Sequence, residues 1–272
     1  MLRDITLGQY YPGESLVHKL DARIKIIATV AFIAAVFIVD NFYGFVIIMA
    51  ALAAVIGISK VPLKFILRGL KPVFVIILFT FVLNLFMIRG EVLWSLGFLH
   101  ITKQGLHTAV FLAIRLIFLI IGSSMLTLTT RPISLTDGIE KLLNPLKRFK
   151  VPAHELAMMM TIALRFIPTL LEETDRIMKA QTARGADFAS GNMLQRLKNM
   201  LPLLVPLFIS AFRRADELAV AMEARCYRGG EGRTRMHELA YGGGDYVALA
   251  LVLALAVGLA VLRWGKLCGL SS

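Results

Sequence analysis

Acidic residues and cysteines are scarce in this chain. Only 18 Asp and Glu stand against 30 Lys and Arg, a formal net charge of +12, and 272 residues hold 2 cysteines. Cys226 and Cys268 lie far apart and supply neither a disulfide framework nor metal-site spacing. The histidines (His18, His100, His107, His154 and His237) show no ligand spacing, so no metal is expected. There is no G-x-x-x-x-G-K-[ST] run, which excludes an ATPase that cradles its own nucleotide phosphates. No nucleophile stands in a pattern with a base. The acidic pair Glu172–Glu173 falls on a charged helix end, where solvation is expected, so no catalytic site is expected. The first 25 residues are polar and lack a signal-peptide core, and no cleaved leader is expected.

What the chain has in excess is apolar surface. The hydrophobic share is 57% and the mean hydropathy +0.73, above the apolar share of ordinary soluble domains. Five apolar runs stand out, at 26–39, 42–58, 73–88, 106–128 and 246–262. A helical span needs roughly 20 residues, about 17 at the least. The fourth run clears that, the second and fifth just reach it, and the first and third depend on their flanks. Only Asp40-Asn41 interrupts 26–58, which predicts a tight helical hairpin. Backbone groups in lipid must pair internally, so helices are expected throughout.

The cations flank these runs, which speaks for topology rather than nucleic-acid binding. Arg3, Lys19, Arg23 and Lys25 precede the first run, and Lys60, Lys64, Arg68 and Lys71 fill the 59–72 connection. The 89–105 connection has only Arg89 and Lys103 beside Glu91. The N-terminus and 59–72 are therefore expected in the cytoplasm, 89–105 outside, and the basic segment 131–240 in the cytoplasm again. Five spans put the C-terminus outside, although Arg263 and Lys266 weigh against that. The expected fold is an all-α integral membrane protein of the plasma membrane, surrounded by lipid. It comprises a cytoplasmic segment 1–23, transmembrane helices at 24–130, a cytoplasmic domain of amphipathic helices at 131–240 and a last span at 245–264.

Within 131–240, Thr130-Arg-Pro132 ends the fourth span. A helix is expected from about Ser134–Asp137 to 149, and Lys150-Val-Pro152 breaks it. Two long helices follow, 153–184 and about 193–225. Each runs from an apolar half to a charged half, and Pro202 and Pro206 are expected to kink the second. Gly185 fits a helix stop that needs positive φ. Gly242-Gly-Gly244 reads as a hinge, with Asp245 as an N-cap.

The ends of the two long helices repeat one another. Asp175, Ile177, Ala180, Ala183 and Arg184 correspond to Asp216, Leu218, Ala221, Ala224 and Arg225. In each copy the aliphatic residue and the first Ala share a helical face with the arginine. A guanidinium near a helix C-terminus can simply balance the macrodipole. Repetition with the same flanks instead favours two equivalent receptors on a partner, because the guanidinium fork suits a carboxylate or carbonyls in a cleft. Met158, Met159 and Met160 read equally well as core or as an adaptable bed for a partner. Arg115, inside the fourth run, is expected to face protein or water, and pairing with a backbone carbonyl or Asn84 is favoured over a place on a substrate pathway. Arg165 is expected to be structurally paired.

Two stretches carry a resemblance to a known family. One is Ala163-Leu-Arg-Phe-Ile-Pro168 with Glu172 and Ala180-Gln-Thr-Ala-Arg-Gly185. The other is Pro12-Gly-Glu-Ser15-Leu-Val-His18-Lys-Leu20-Asp21-Ala-Arg23-Ile-Lys25. Both resemble the transmembrane T component of energy-coupling factor (ECF) transporters, and the match covers nearly the whole chain. The resemblance implies two Ala-Arg-Gly-type motifs at the ends of coupling helices, each inserted into one of two ATP-binding-cassette ATPases. Here these are Ala183-Arg184-Gly185 and Ala224-Arg225-Cys226, the second departing from the pattern at Cys226. It also implies that ATP is bound by the partner ATPases, with no cofactor on this chain, and that a substrate-binding membrane subunit takes up a vitamin or metal ion. The Met158–Met160 region would touch that subunit. The alternative is a membrane permease or scaffold without ATPase coupling. A permease needs a polar midplane site, and the runs offer little beyond Asn84, Arg115 and His107. An enzyme acting on lipid phosphate needs acidic ligands or a His pair, and none is so arranged.

Overall fold

The computed structural model describes residues 10–96, 99–149, 152–186, 188, 192–229 and 240–267. Its described residues fall into two compact units. One draws on Gly8–Gly138 and Leu239–Ser272, the other on Ile139–Glu238.

The first unit is built of helices α1 (Leu16–Lys19), α2 (Ala22–Ile38), α3 (Phe42–Ser59), α4 (Leu63–Leu70), α5 (Phe74–Met87), α6 (Lys103–Thr129), the start of α7 (Pro132–Leu143), and α10 (Gly243–Leu267). By length and composition α3, α6 and α10 can each cross a membrane. So can α4 and α5 taken together, although they are bent by 56° where they meet. The bend adds a short helix to what reads in sequence as a 59–72 connection. Helix α2 has 17 residues, about 25 Å at 1.5 Å per residue, near the lower limit for a span. The all-α expectation holds, with one addition in the 89–105 connection. Strands β1 (Val92–Leu96) and β2 (Leu99–Thr102) pair antiparallel there, Ser95 opposite His100. Val92, Trp94, Ile101 and Thr102 are the strand-favouring residues that a reading by helical span passes over. Thr102 then caps α6, accepting from the Gly105 N–H at 3.0 Å and donating to the Ile88 carbonyl at 2.7 Å.

The core of this unit joins α2, α3, α6 and α10 through Ala35, Val36, Val39, Phe45, Ile48, Leu52, Phe118 and Leu259. Outside it, large apolar side chains such as Phe37, Tyr43, Val75, Phe79 and Leu251 are exposed. That is the pattern expected of a lipid-facing surface, where burial inside the protein is not needed to keep them from water.

Helices α2 and α10 run parallel and are tied at both ends. At their starts, the Asp245 carboxylate accepts from the Asp21 N–H and the Gly242 N–H, each at 2.8 Å. Asp245 is therefore not the N-cap. Gly242 precedes the helix, and Asp245 reaches back to it from the third helical position, as in a capping box. Asp21 caps α2 and holds Arg23 in a 2.7 Å ion pair, while the Arg23 guanidinium lies 3.8 Å from the Tyr241 ring centroid. Burial pushes the Asp21 carboxyl up, but the hydrogen bonds and charge of Arg23 outweigh it, and the net position is below the ordinary carboxylate value. Lys25, 7% exposed, donates to the His18 carbonyl at 3.2 Å and to the Thr129 carbonyl at the end of α6 at 2.9 Å. His18 donates through Nε2 to the Tyr11 carbonyl at 3.0 Å, which leaves Nδ1 to accept from Ser15 Oγ at 2.7 Å.

At the far ends, Asp40 gathers two arginines. Arg115 reaches it at 3.4 Å and donates to the Val39 carbonyl at 2.6 Å. Arg263 pairs with it at 3.0 Å. The backbone carbonyl is thus the partner of Arg115, whereas Asn84 donates to Thr80 on its own helix. Arg263 is accounted for by Asp40 and by the Ile38 carbonyl at 3.3 Å.

The second unit contains the end of α7, a 3-10 segment (Asn144–Phe149), α8 (Ala153–Ala183) and α9 (Met193–Ala224). Helix α7 begins earlier than its Ser134–Asp137 signal, at Pro132, because proline suits a first helical position, where its missing N–H is not needed. Pro202 and Pro206 lie inside one continuous α9. Glu173 of α8 pairs with Arg214 of α9 at 3.5 Å, so one member of the acidic pair joins the two helices rather than standing in solvent. Arg165 lies on the exposed side of α8 and has no ion pair or hydrogen bond among the described residues, contrary to the expected pairing. The apolar first half of α8 brings that helix within the length and composition of a span. Its second half carries Glu172, Glu173, Asp175, Arg176 and Lys179.

Candidate docking site

The ends of α8 and α9 close in the same way. Arg184 caps α8 with φ -86° and ψ 7°, and Arg225 caps α9 with φ -92° and ψ 14°. The next residue is left-handed in both, Gly185 at φ 88° and Cys226 at φ 55°. The Gly185 N–H donates to the Thr182 carbonyl and the Ala186 N–H to the Gln181 carbonyl, both at 3.0 Å. In α9 the Cys226 N–H donates to Glu223 at 2.8 Å and the Tyr227 N–H to Met222 at 3.0 Å. These paired reversed bonds are the Schellman closure, which satisfies carbonyls that a helix end otherwise leaves open.

Cys226 thus keeps the turn that glycine would make more easily. A side chain in the left-handed region costs roughly 1–2 kcal/mol, and the two closing bonds hold it there.

Exposure repeats as well. Ile177 and Leu218 are half-buried, while Ala180, Ala183 and Arg184, and Ala221, Ala224 and Arg225, are exposed. Neither Arg184 nor Arg225 has an ion pair or side-chain hydrogen bond among the described residues. Each guanidinium keeps its full set of donors, beside small residues that allow another backbone to come close. Cys226 is an exposed free thiol.

The same unit carries exposed apolar surface. On α9, Leu201, Leu204, Val205, Phe208, Ile209 and Phe212 are all exposed, Phe212 at 68%. They recur at intervals of three and four, which makes a stripe along the helix. On α8, Met159 and Met160 are exposed and Met158 is half-buried. The sequence signal for the α9 stripe was the apolar half at 200–212, although periodicity alone does not say which face is covered. Among the described residues no three His, Cys, Asp or Glu side chains converge as metal ligands. His107 stacks on Phe111, ring centroids 5.5 Å apart.

Comparison with known proteins identifies the family. The profile of the Cobalt transport protein family (CbiQ) matches residues 13–237, a stretch that takes in both arginine-bearing ends. The chain is 60% identical over 257 residues to an energy-coupling factor transporter transmembrane protein, EcfT, of Thermosediminibacter oceani, covering 94% of this chain and 97% of the relative. It is 49% identical to the EcfT of Bacillus subtilis over 264 residues, 97% of this chain and 100% of that protein. With the EcfT of Lactococcus lactis subsp. cremoris the identity is 42% over 266 residues, 97% and 99% of the two chains. The chain accordingly belongs to the CbiQ family, among the EcfT transmembrane components of energy-coupling factor transporters.

Proposed function

We propose that this chain transmits ATP hydrolysis by two ATP-binding-cassette subunits to a substrate-binding membrane subunit, which it reorients for uptake of a vitamin or a metal ion. The two matched helix ends carry the reading. Each presents one guanidinium, unpaired among the described residues, next to exposed alanines and in the same backbone frame, as two copies of one receptor would require. Arg184 and Arg225 enter the two ATPases, which bind the nucleotide, and this chain has no catalytic role. The exposed stripe of α9, with Met158, Met159 and Met160, supports the substrate-binding subunit. The cations that flank the spans support a cytoplasmic N-terminus and a cytoplasmic segment 131–240. ATPase closure then moves the tips of α8 and α9 relative to each other, and the Glu173–Arg214 pair lies between those tips and the apolar halves.

The test is co-purification of the ATPases with the full chain in mild detergent. Arg184→Ala or Arg225→Ala alone weakens attachment, and the double variant abolishes both attachment and ATP-driven uptake. A buried charge-assisted contact of this kind is worth a few kcal/mol. Undiminished ATPase recovery with the double variant refutes the docking role and favours a scaffold without ATP coupling.

A further inference from the structure

Beside the α2–α3 turn lies a cavity of about 240 Å3, lined by Asp40, His107, Thr108, Phe111, Leu112 and Arg115. His107, Phe111 and Arg115 are spaced by four and share one face of α6. The Arg115 side chain is 18% exposed. Its Nη2 serves the Val39 carbonyl and Asp40, but its buried Nε has no hydrogen-bond partner among the described residues. A buried N–H donor left alone is costly and calls for an acceptor. Arg263 contacts the other carboxylate oxygen of Asp40. Two guanidiniums against one carboxylate leave this group of side chains net positive before His107 is counted.

The surroundings select the kind of anion. Tyr43 is exposed next to the turn, as in the aromatic belt at the depth of lipid headgroups, and Phe37 and Phe42 beside it are exposed apolar surface suited to acyl chains. Phe111 and Leu112 give the cavity an apolar wall. A basic pocket among membrane helices at headgroup depth matches a lipid phosphate better than a fully hydrated ion. We propose that this cavity binds the phosphate of an anionic phospholipid, with Arg115 as its main donor and Arg263 at the rim. The site lies at the end of the bundle away from Asp21 and Asp245 and needs no ATPase.

The full-length chain is reconstituted in nanodiscs holding equal amounts of phosphatidylglycerol and diglucosyl diacylglycerol with the same acyl chains. Lipids retained on gentle extraction are counted by native mass spectrometry. Phosphatidylglycerol is retained over the phosphate-free glycolipid, and Arg115→Gln lowers that preference about tenfold, the loss of one charge-assisted hydrogen bond. Because Arg115→Gln also takes the donor from Val39, Thr108→Trp is the second variant. It fills the cavity, leaves both arginines in place and lowers the preference as much. Equal retention of the two lipids, or an unchanged preference in Thr108→Trp, overturns the proposal. So does displacement of the lipid by millimolar inorganic phosphate, which would make the occupant a free ion.

Discussion

Gly185 and Cys226 hold equivalent places in two helix ends and share a left-handed backbone, at φ 88° and 55°. The two termini are one structure written with different residues. Only the second carries a side chain in a conformation that disfavours one.

That difference predicts opposite effects of exchange. A Cβ at Gly185 would meet nothing within 4 Å, so Gly185→Ala loses stability only through its backbone, by roughly 1–2 kcal/mol. Cys226→Gly relieves the same strain, less the entropy that glycine adds to the unfolded chain, and leaves ATPase attachment intact. Thermal unfolding in detergent gives the first comparison and co-purification the second. Equal melting of Gly185→Ala and the parent would show that the helix end tolerates a side chain at no cost.

Asp245 should matter more than a place in the first turn of α10 implies, a turn that includes Gly243 and Gly244 where the sequence reads as a hinge. Asp245→Ala removes the acceptor for both the Asp21 and Gly242 N–H groups. Leaving the buried Asp21 N–H unmet costs about 1–3 kcal/mol, and the part-buried Gly242 N–H adds less because water can reach it. Asp245→Asn keeps an oxygen and recovers part of the loss. The readout is the melting temperature of the three proteins in one detergent, and an unshifted Asp245→Ala would contradict the tie between α2 and α10.

The Asp21–Arg23 pair makes stability fall in acid. The folded Asp21 carboxyl titrates below its ordinary value of 3.8, so the native state binds fewer protons there than the unfolded state. Its contribution is complete above that ordinary value and disappears as pH falls through the lower, folded one. Unfolding followed from pH 6 to pH 3 should show a steeper decline for the parent than for Asp21→Asn. Parallel curves would mean that another group carries the acid sensitivity.

Much of this was legible in the sequence, because the signals were local. The runs 42–58, 106–128 and 246–262 needed only hydropathy, and the positions of Arg184 and Arg225 needed only the repeat. The motif Ser15, His18, Asp21, Arg23 and Lys25 was visible as a resemblance, but its work was not. Lys25 reads as a topology charge, yet it is buried on carbonyls of His18 and Thr129, the latter 104 residues away. Arg263 reads as a charge flanking the last span, yet it pairs with Asp40, which no local signal couples to it. Such pairings depend on which helices become neighbours, and no window along the chain contains that. The α9 stripe was likewise half visible: its residues were apolar in sequence, and its exposure depends on what packs there.

The bond between Asp21 and Asp245 spans 224 residues. Since α10 emerges from the ribosome after everything else in the described chain, α2 must wait for it with one flank open. During that interval the whole 139–238 segment is synthesised and can fold first. Completion of the bundle is therefore a late event in biogenesis. A transcript cut short after the arginine-bearing ends would yield a protein with both tips present and an unsealed membrane body, a ready substrate for quality-control proteases.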